Sequence, residues 1–282
     1  MTVFLIFVLL LGWLFSYILQ DQGILYLAVF VSIITSFGSY WYSDKVVLAM
    51  TMAKPIEKKD NPELYRLVEN LCITAGLPLP KIYSLEESQS NAFATGRDAN
   101  HAVVAVTRGL LNKLEKSELE GVIGHELSHI GNKDMLLQTA VVVMAGIVAL
   151  ISDWFLRISY WGGGRKRNSE NSGGSILFFL GIVAAILAPL ASSLIQLAVS
   201  RKREFLADAD GALLTRYPEG LARALEKISS DSNSLSVASN ATAHLFISDP
   251  RRGKQAKSWF TKLFLTHPPV EERTRALRGM EV

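Results

Sequence analysis

Within Gly124-His125-Glu126-Leu127-Ser128-His129-Ile130, two histidines stand four residues apart with a glutamate beside the first. On a helix, positions four apart lie one above the other, so His125 and His129 can turn two imidazole nitrogens toward one metal ion. Glu126 is too close to the first ligand to join the same tetrahedron. It is well placed to take a proton from a water that zinc brings to a pKa of about 7. A catalytic site of this kind needs a third protein ligand and an open fourth position. Glu204 and Asp208, in Arg203-Glu204-Phe205-Leu206-Ala207-Asp208, share a helical face downstream. One carboxylate can bind the metal while the other accepts the free N–H of a ligating histidine and fixes its tautomer. The pattern H-E-x-x-H on a helix is a signature of metal-assisted peptide hydrolysis. The plain alternatives are a buried helix whose histidines fall four apart by chance and, at Glu204 to Asp208, an acidic surface turn.

The first motif needs a helix under it. Ser117 and Glu120 form an S-x-x-E start, and Leu119, Val122, Ile123, Leu127 and Ile130 recur at helical spacing until Gly131-Asn132. Upstream, Asn61 caps a predicted helix that opens on Pro62 and ends at Gly76-Leu77-Pro78. Three short strands are expected at 81–85, 91–96 and 102–106, with turn chemistry at 96–100, so a small sheet stands beside the helices. Downstream, residues 218–228 read as an amphipathic helix, and 229–258 as a loop with little regular structure.

Four apolar runs punctuate the chain of 282 residues: 2–19, 24–42, 135–151 and 176–199. The first two are each about 18 to 20 residues, enough to cross a hydrocarbon core, and form a predicted transmembrane hairpin over 1–43. No Lys or Arg precedes the first run, which argues against a cleaved signal peptide. Residues 44–134 then carry the first part of a catalytic domain, 135–199 a second hydrophobic hairpin with the Gly/Ser-rich loop 162–174, and 200–282 the second part. One metal-ligand motif falls just before the second hairpin and the other just after it, so both face the same side. Lys45, Lys54, Lys58 and Lys59 after the second run place that side in the cytoplasm by the positive-inside rule. Arg165, Lys166 and Arg167 in the second loop oppose translocation, so 135–199 either spans or re-enters the bilayer.

Hydrophobic residues make up 49% of the chain and charged residues 20%, a balance of membrane segments joined to a polar part. The net charge of +3, without basic runs interleaved with aromatics, excludes nucleic acid as the natural partner. The single cysteine, Cys72, lies on an apolar helical face and reads as a buried structural thiol. His101 and His244 have no carboxylate or second histidine at ligand spacing and read as surface or packing residues.

The pairing of His125-Glu126-Leu127-Ser128-His129 with Glu204-Phe205-Leu206-Ala207-Asp208 resembles the HtpX group of membrane zinc metalloproteases, relatives of the CAAX prenyl proteases. Asn91-Ala92-Phe93-Ala94-Thr95-Gly96 and His267-Pro268-Pro269-Val270-Glu271-Glu272-Arg273 match in the right order, so the resemblance covers nearly the whole chain. It implies a mainly α fold with a small β-sheet and a zincin-like catalytic domain. It implies one Zn2+ per chain on His125, His129 and Glu204, with Glu126 catalytic and Asp208 behind the ligands. It places His267 near the metal, in an oxyanion or gating role, and gives Asn91, Ala92, Phe93 and Arg273 to substrate, an exposed strand edge pairing with an extended polypeptide. For His267 the alternative is a helix cap ahead of Pro268 and Pro269. The implied setting is a bacterial cytoplasmic membrane, where misfolded membrane proteins or unfolded polypeptides are cleaved in quality control and stress response, in association with other membrane quality-control proteases. A CAAX-type processing protease and a non-catalytic membrane scaffold with structural zinc are the competing readings.

Overall fold

The computed structural model describes residues 20–139, 201–231, 245–248 and 268–281, with residues 9, 13, 16, 17 and 242, although several side chains between 24 and 43 lie outside the description. The first helix described along its whole length is α1 (Gln22–Met50), 29 residues capped by Asp21, whose carboxylate accepts from the Gly23 N–H at 2.8 Å. Tyr26, Phe30, Ile33, Ile34, Phe37 and Trp41 stand exposed on it. Among the described residues no helix is long and apolar enough to cross a membrane. That statement does not reach most of runs 2–19, 135–151 and 176–199, nor several residues of 24–42. Run 24–42 falls within α1, whereas most of the first run, nearly all of the second expected hairpin and the loop 162–174 lie outside the described residues.

A four-stranded sheet follows, built from β1 (Lys54–Pro55), β2 (Lys81–Leu85), β3 (Ala92–Gly96) and β4 (Ala102–Thr107) in the order β1-β2-β4-β3. β2 and β4 are parallel, Lys81 beside Val103, and β3 runs antiparallel to β4, Ala92 beside Val106. β4 reads as a continuous apolar run because both of its faces are covered. Ala102, Val104 and Val106 join the core under the helices, whereas Ala105 turns to a second cluster with Val47, Leu85, Phe93 and Phe246.

Helix α2 (Pro62–Ala75) is capped by Asn61, whose Oδ1 accepts from the Leu64 N–H at 3.0 Å. It buries Leu64, Leu67, Val68, Leu71 and Cys72, and burial pushes the Cys72 thiol up to about 11. After the short α3 (Arg108–Lys113) comes α4 (Lys116–Gly131), which carries the H-E-x-x-H residues. Its start differs from the Ser117/Glu120 expectation: the capping box joins Glu115 and Glu118, the Glu118 carboxylate accepting from the Glu115 N–H at 2.8 Å. Both spacings satisfy the local rule. The choice is tertiary, because Glu118 also receives Lys227 from a neighbouring helix at 2.8 Å.

α5 (Arg201–Thr215) and α6 (Pro218–Ser229) pack on α4, and α7 (Val270–Arg278) closes over them. The seams are made by glycines. A Cβ on Gly211 would stand 2.7 Å from the His125 N and 2.9 Å from the Gly124 carbonyl carbon, and one on Gly121 would stand 2.7 Å from the Leu221 N. Backbone therefore lies on backbone beside the first histidine, and the two motif helices keep one fixed spacing. Gly211→Val should force α4 and α5 apart, lower stability by about 1–3 kcal/mol and reduce bound metal per chain. Thermal unfolding with metal analysis checks this, and unchanged values in both would refute the close-contact account.

Candidate metal centre

α4 and α5 present their buried polar faces to each other. His125 and His129, one turn apart on α4, hold their Nε2 atoms 3.2 Å from one another. From α5, the Glu204 carboxylate comes within 3.9 Å of His125 Nε2 and 3.6 Å of His129 Nε2. All three side chains are buried, and their ligand atoms lie within 4.8 Å of one another. Tetrahedral zinc with bonds of about 2.0–2.1 Å separates its ligand atoms by roughly 3.3–3.4 Å. The two imidazoles fit that span, and the carboxylate lies slightly beyond it.

The opposite edges of the imidazoles explain why the lone pairs point inward. His125 Nδ1 stands 2.9 Å from Asp208 Oδ1, and His129 Nδ1 stands 3.2 Å from Asp134 Oδ2. A carboxylate beside each Nδ1 favours the tautomer protonated there, which leaves both Nε2 atoms as acceptors near Glu204. Three converging acceptors in a buried site suit a cation. Burial pushes His125 down to about 4, so it stays neutral, as a ligand must. His129 moves the other way: burial opposes its charge, but the hydrogen bond it donates to Asp134 and the nearby Glu204 and Glu126 outweigh it.

Glu126, next in the chain to His125, is 2% exposed, and burial pushes its carboxyl up to about 7 although His129 and the Ala94 N–H favour the charged form. A carboxylate poised near neutrality suits a general base.

Asp208 is itself held. Arg273, on α7 and 1% exposed, grips it with two hydrogen bonds, Nε to Oδ2 at 2.7 Å and Nη2 to Oδ1 at 2.6 Å, and donates through Nη1 to the Ile247 carbonyl at 3.1 Å. Burial alone would raise the Asp208 carboxyl; the guanidinium and His125 outweigh it and hold it at about 2. Arg273 is thus engaged inside the protein, where it acts as a positioning residue.

The expected exposed edge is also corrected. β3 is the edge strand, yet it is buried along its length. The Ile247 N–H donates to the Ala92 carbonyl at 3.0 Å, and Asn91 Nδ2 donates to the Ser248 carbonyl at 3.0 Å. Phe93 meets Phe246 edge to face, with ring centroids 5.2 Å apart, and farther along Thr95 and Thr139 share a hydrogen bond of 3.0 Å. His267 and His244 lie outside the described residues, and Pro269 caps α7. His101 sits at the surface, hydrogen-bonded to Asp98 and Arg97. Two elements of the site have no counterpart in the sequence reading: Asp134, whose only local signal is a charge opening an apolar run, and Leu245–Ser248, which carries none.

Two outcomes follow from the Arg273–Asp208 pair. Arg273→Met strands a buried carboxylate and should cost roughly 3–5 kcal/mol in denaturant unfolding. In metal-free protein, a carboxyl held below its ordinary value contributes stability that is present above about pH 4 and lost as pH falls toward 2. Asp208→Asn should flatten that part of the stability profile, by on the order of 2 kcal/mol. A profile equally steep in both proteins would contradict the assignment.

Residues 58–281 match peptidase family M48. A curated relative from Syntrophobacter fumaroxidans, called "Protease HtpX homolog", is 46% identical over 260 residues, 90% of this chain and 89% of the relative. One of the same name from Thermoanaerobacter pseudethanolicus is 46% identical over 95% of this chain and 87% of its own, and one from Tropheryma whipplei is 48% identical over 86% and 80%. The crystal structure of S. mikatae Ste24p has a TM-score of 0.52 at 20% identity, covering 95% of this chain but only 61% of that one, a likeness of fold alone. With this match spanning most of its length and the buried His125, His129 and Glu204 cluster at its centre, the chain belongs to peptidase family M48 and is a metalloprotease of the HtpX type.

Proposed function

We propose that the protein is a zinc-dependent endopeptidase of a cytoplasmic membrane, cleaving unfolded polypeptides and misfolded membrane proteins from the cytoplasmic face. The observation that carries the chemistry is the convergence of two imidazole lone pairs and one carboxylate on a buried point, with Glu126 beside them. His125, His129 and Glu204 would hold the zinc, which when bound supplies a Lewis acid for the scissile carbonyl and lowers the pKa of the attacking water. Glu126 accepts the proton of that water on its carboxylate and passes it to the leaving amine. Asp208 and Asp134 keep the imidazoles turned, and Arg273 keeps Asp208 ionised. Support for the membrane comes from the aromatic and aliphatic side chains exposed along α1, and support for the cytoplasmic face from the lysines that follow it.

A scaffold with structural zinc would call for a closed set of four ligands and no use for Glu126. The buried Glu126, next in the chain to the ligand His125, favours catalysis. Quality control rather than tail processing is favoured by the "Protease HtpX homolog" names of the relatives.

Purified detergent-solubilised protein should hydrolyse an unfolded polypeptide such as β-casein, lose that activity on chelation and regain it with zinc. Glu126→Gln should keep stoichiometric zinc and lose about 10²–10⁴-fold in kcat. Normal cleavage by that variant would remove Glu126 from its role, whereas zinc binding without cleavage of any unfolded or prenylated substrate by the native chain would favour the scaffold.

A further inference from the structure

The catalytic groups are sealed: His125, Glu126 and Glu204 are each at most 2% exposed, and the strand edge beside them is covered. A polypeptide that pairs with β3 at Ala92 must first displace Leu245–Ser248, which occupies that carbonyl. Leu245–Ser248 lies over the half of β3 nearest Ala92, and its polar attachments are made through its backbone. The Ile247 N–H donates to the Ala92 carbonyl at 3.0 Å. The Asn91 amide brackets the next residue, Nδ2 donating to the Ser248 carbonyl at 3.0 Å and Oδ1 accepting from the Ser248 N–H at 3.4 Å. Arg273 Nη1 donates to the Ile247 carbonyl at 3.1 Å, and the same nitrogen stands 3.9 Å from Glu204 Oε2, next to the metal ligands. Phe246 beside Phe93, Ile247 beside Ala92 and Ser248 beside Asn91 run in antiparallel order to β3, the segment itself being one 3-10 residue followed by bends.

None of these hydrogen bonds involves a side chain of the segment. Any peptide carries backbone N–H and C=O groups that can meet the same partners, as in recognition by strand addition. The Ile247 side chain is buried in the main core with Leu277, a place that takes an aliphatic residue of any sequence.

We infer that Leu245–Ser248 is an internal stand-in for a substrate strand. It closes the peptidase at rest and exchanges with the substrate, whose backbone takes over Ala92, Asn91 and Arg273 and whose apolar side chain takes the place of Ile247. The inference rests on the peptidase reading above. Exchange is conservative, because each hydrogen bond broken has a replacement. The tethered segment nevertheless competes at a high effective concentration, so an incoming chain must offer an extended stretch already free of its own structure. Closure by a stand-in thereby selects unfolded polypeptide over folded protein.

The test uses the full chain, zinc-loaded, in detergent. In the Glu126→Gln protein, saturating β-casein should raise hydrogen exchange at the Ile247 and Ser248 amides several-fold, as the segment leaves. Bound casein with unchanged or greater protection there would overturn the inference. Independently, Ile247→Pro removes the N–H that holds the segment to Ala92 and should raise kcat/KM on β-casein several-fold at unchanged zinc content. A rate equal to or below that of the native chain would overturn it. If that variant does not fold, the exchange measurement on the native segment decides alone. If neither chain binds nor cleaves casein, the peptidase reading falls and takes the inference with it; if both cleave alike and protection is unmoved, the inference alone falls.

Discussion

A buried guanidinium holds the centre of this protein together. Arg273 reaches from α7 to Asp208 on α5, Asp208 reaches His125 on α4, and the third arm of the guanidinium holds the Ile247 carbonyl against the sheet edge. A fully buried cation is tolerated only when its charge and its donors are matched, and here a bidentate carboxylate supplies most of the match. Because each partner lies on a different element, α7, α5, α4 and the Leu245–Ser248 segment cannot shift independently. The tautomer of a metal ligand is thus set by a residue 65 positions downstream of the carboxylate that contacts it.

The glycine seams give this electrostatic arrangement its precision. With backbone on backbone at Gly211 and His125, the distance between α4 and α5 is set by covalent geometry rather than by adjustable side chains. The ligands project from two rigid cylinders at that spacing, as a metal site demands. Asp134 extends the same logic past the end of α4, and its other oxygen faces Arg203 at 3.4 Å, so the second imidazole too is oriented through a carboxylate that meets a guanidinium.

What was legible in the sequence was periodic. The four-residue spacings of His125 with His129 and of Glu204 with Asp208 announce shared helical faces, and the Asn61-Pro62 start and the short strands are equally local signals. Where two local rules compete, as at Glu115 and Ser117, a distant lysine decides. Contacts between segments far apart in the chain leave no periodic trace. Asn91 meets Ser248 across 157 residues, which is why β3 reads as an open edge in the sequence and is covered in the fold. Arg273 fits a substrate contact equally well until its partner is seen.

The order in which these residues are made has its own consequence. Arg273 is the last of the residues that hold the centre to leave the ribosome, long after His125, His129, Glu204 and Asp208. A growing chain that stops short of it has its ligands but lacks the cation that makes burial of Asp208 tolerable, so the packing of α5 on α4 is disfavoured until Arg273 arrives. The centre therefore gains the full stability of its ion pair only once the chain has been made as far as Arg273.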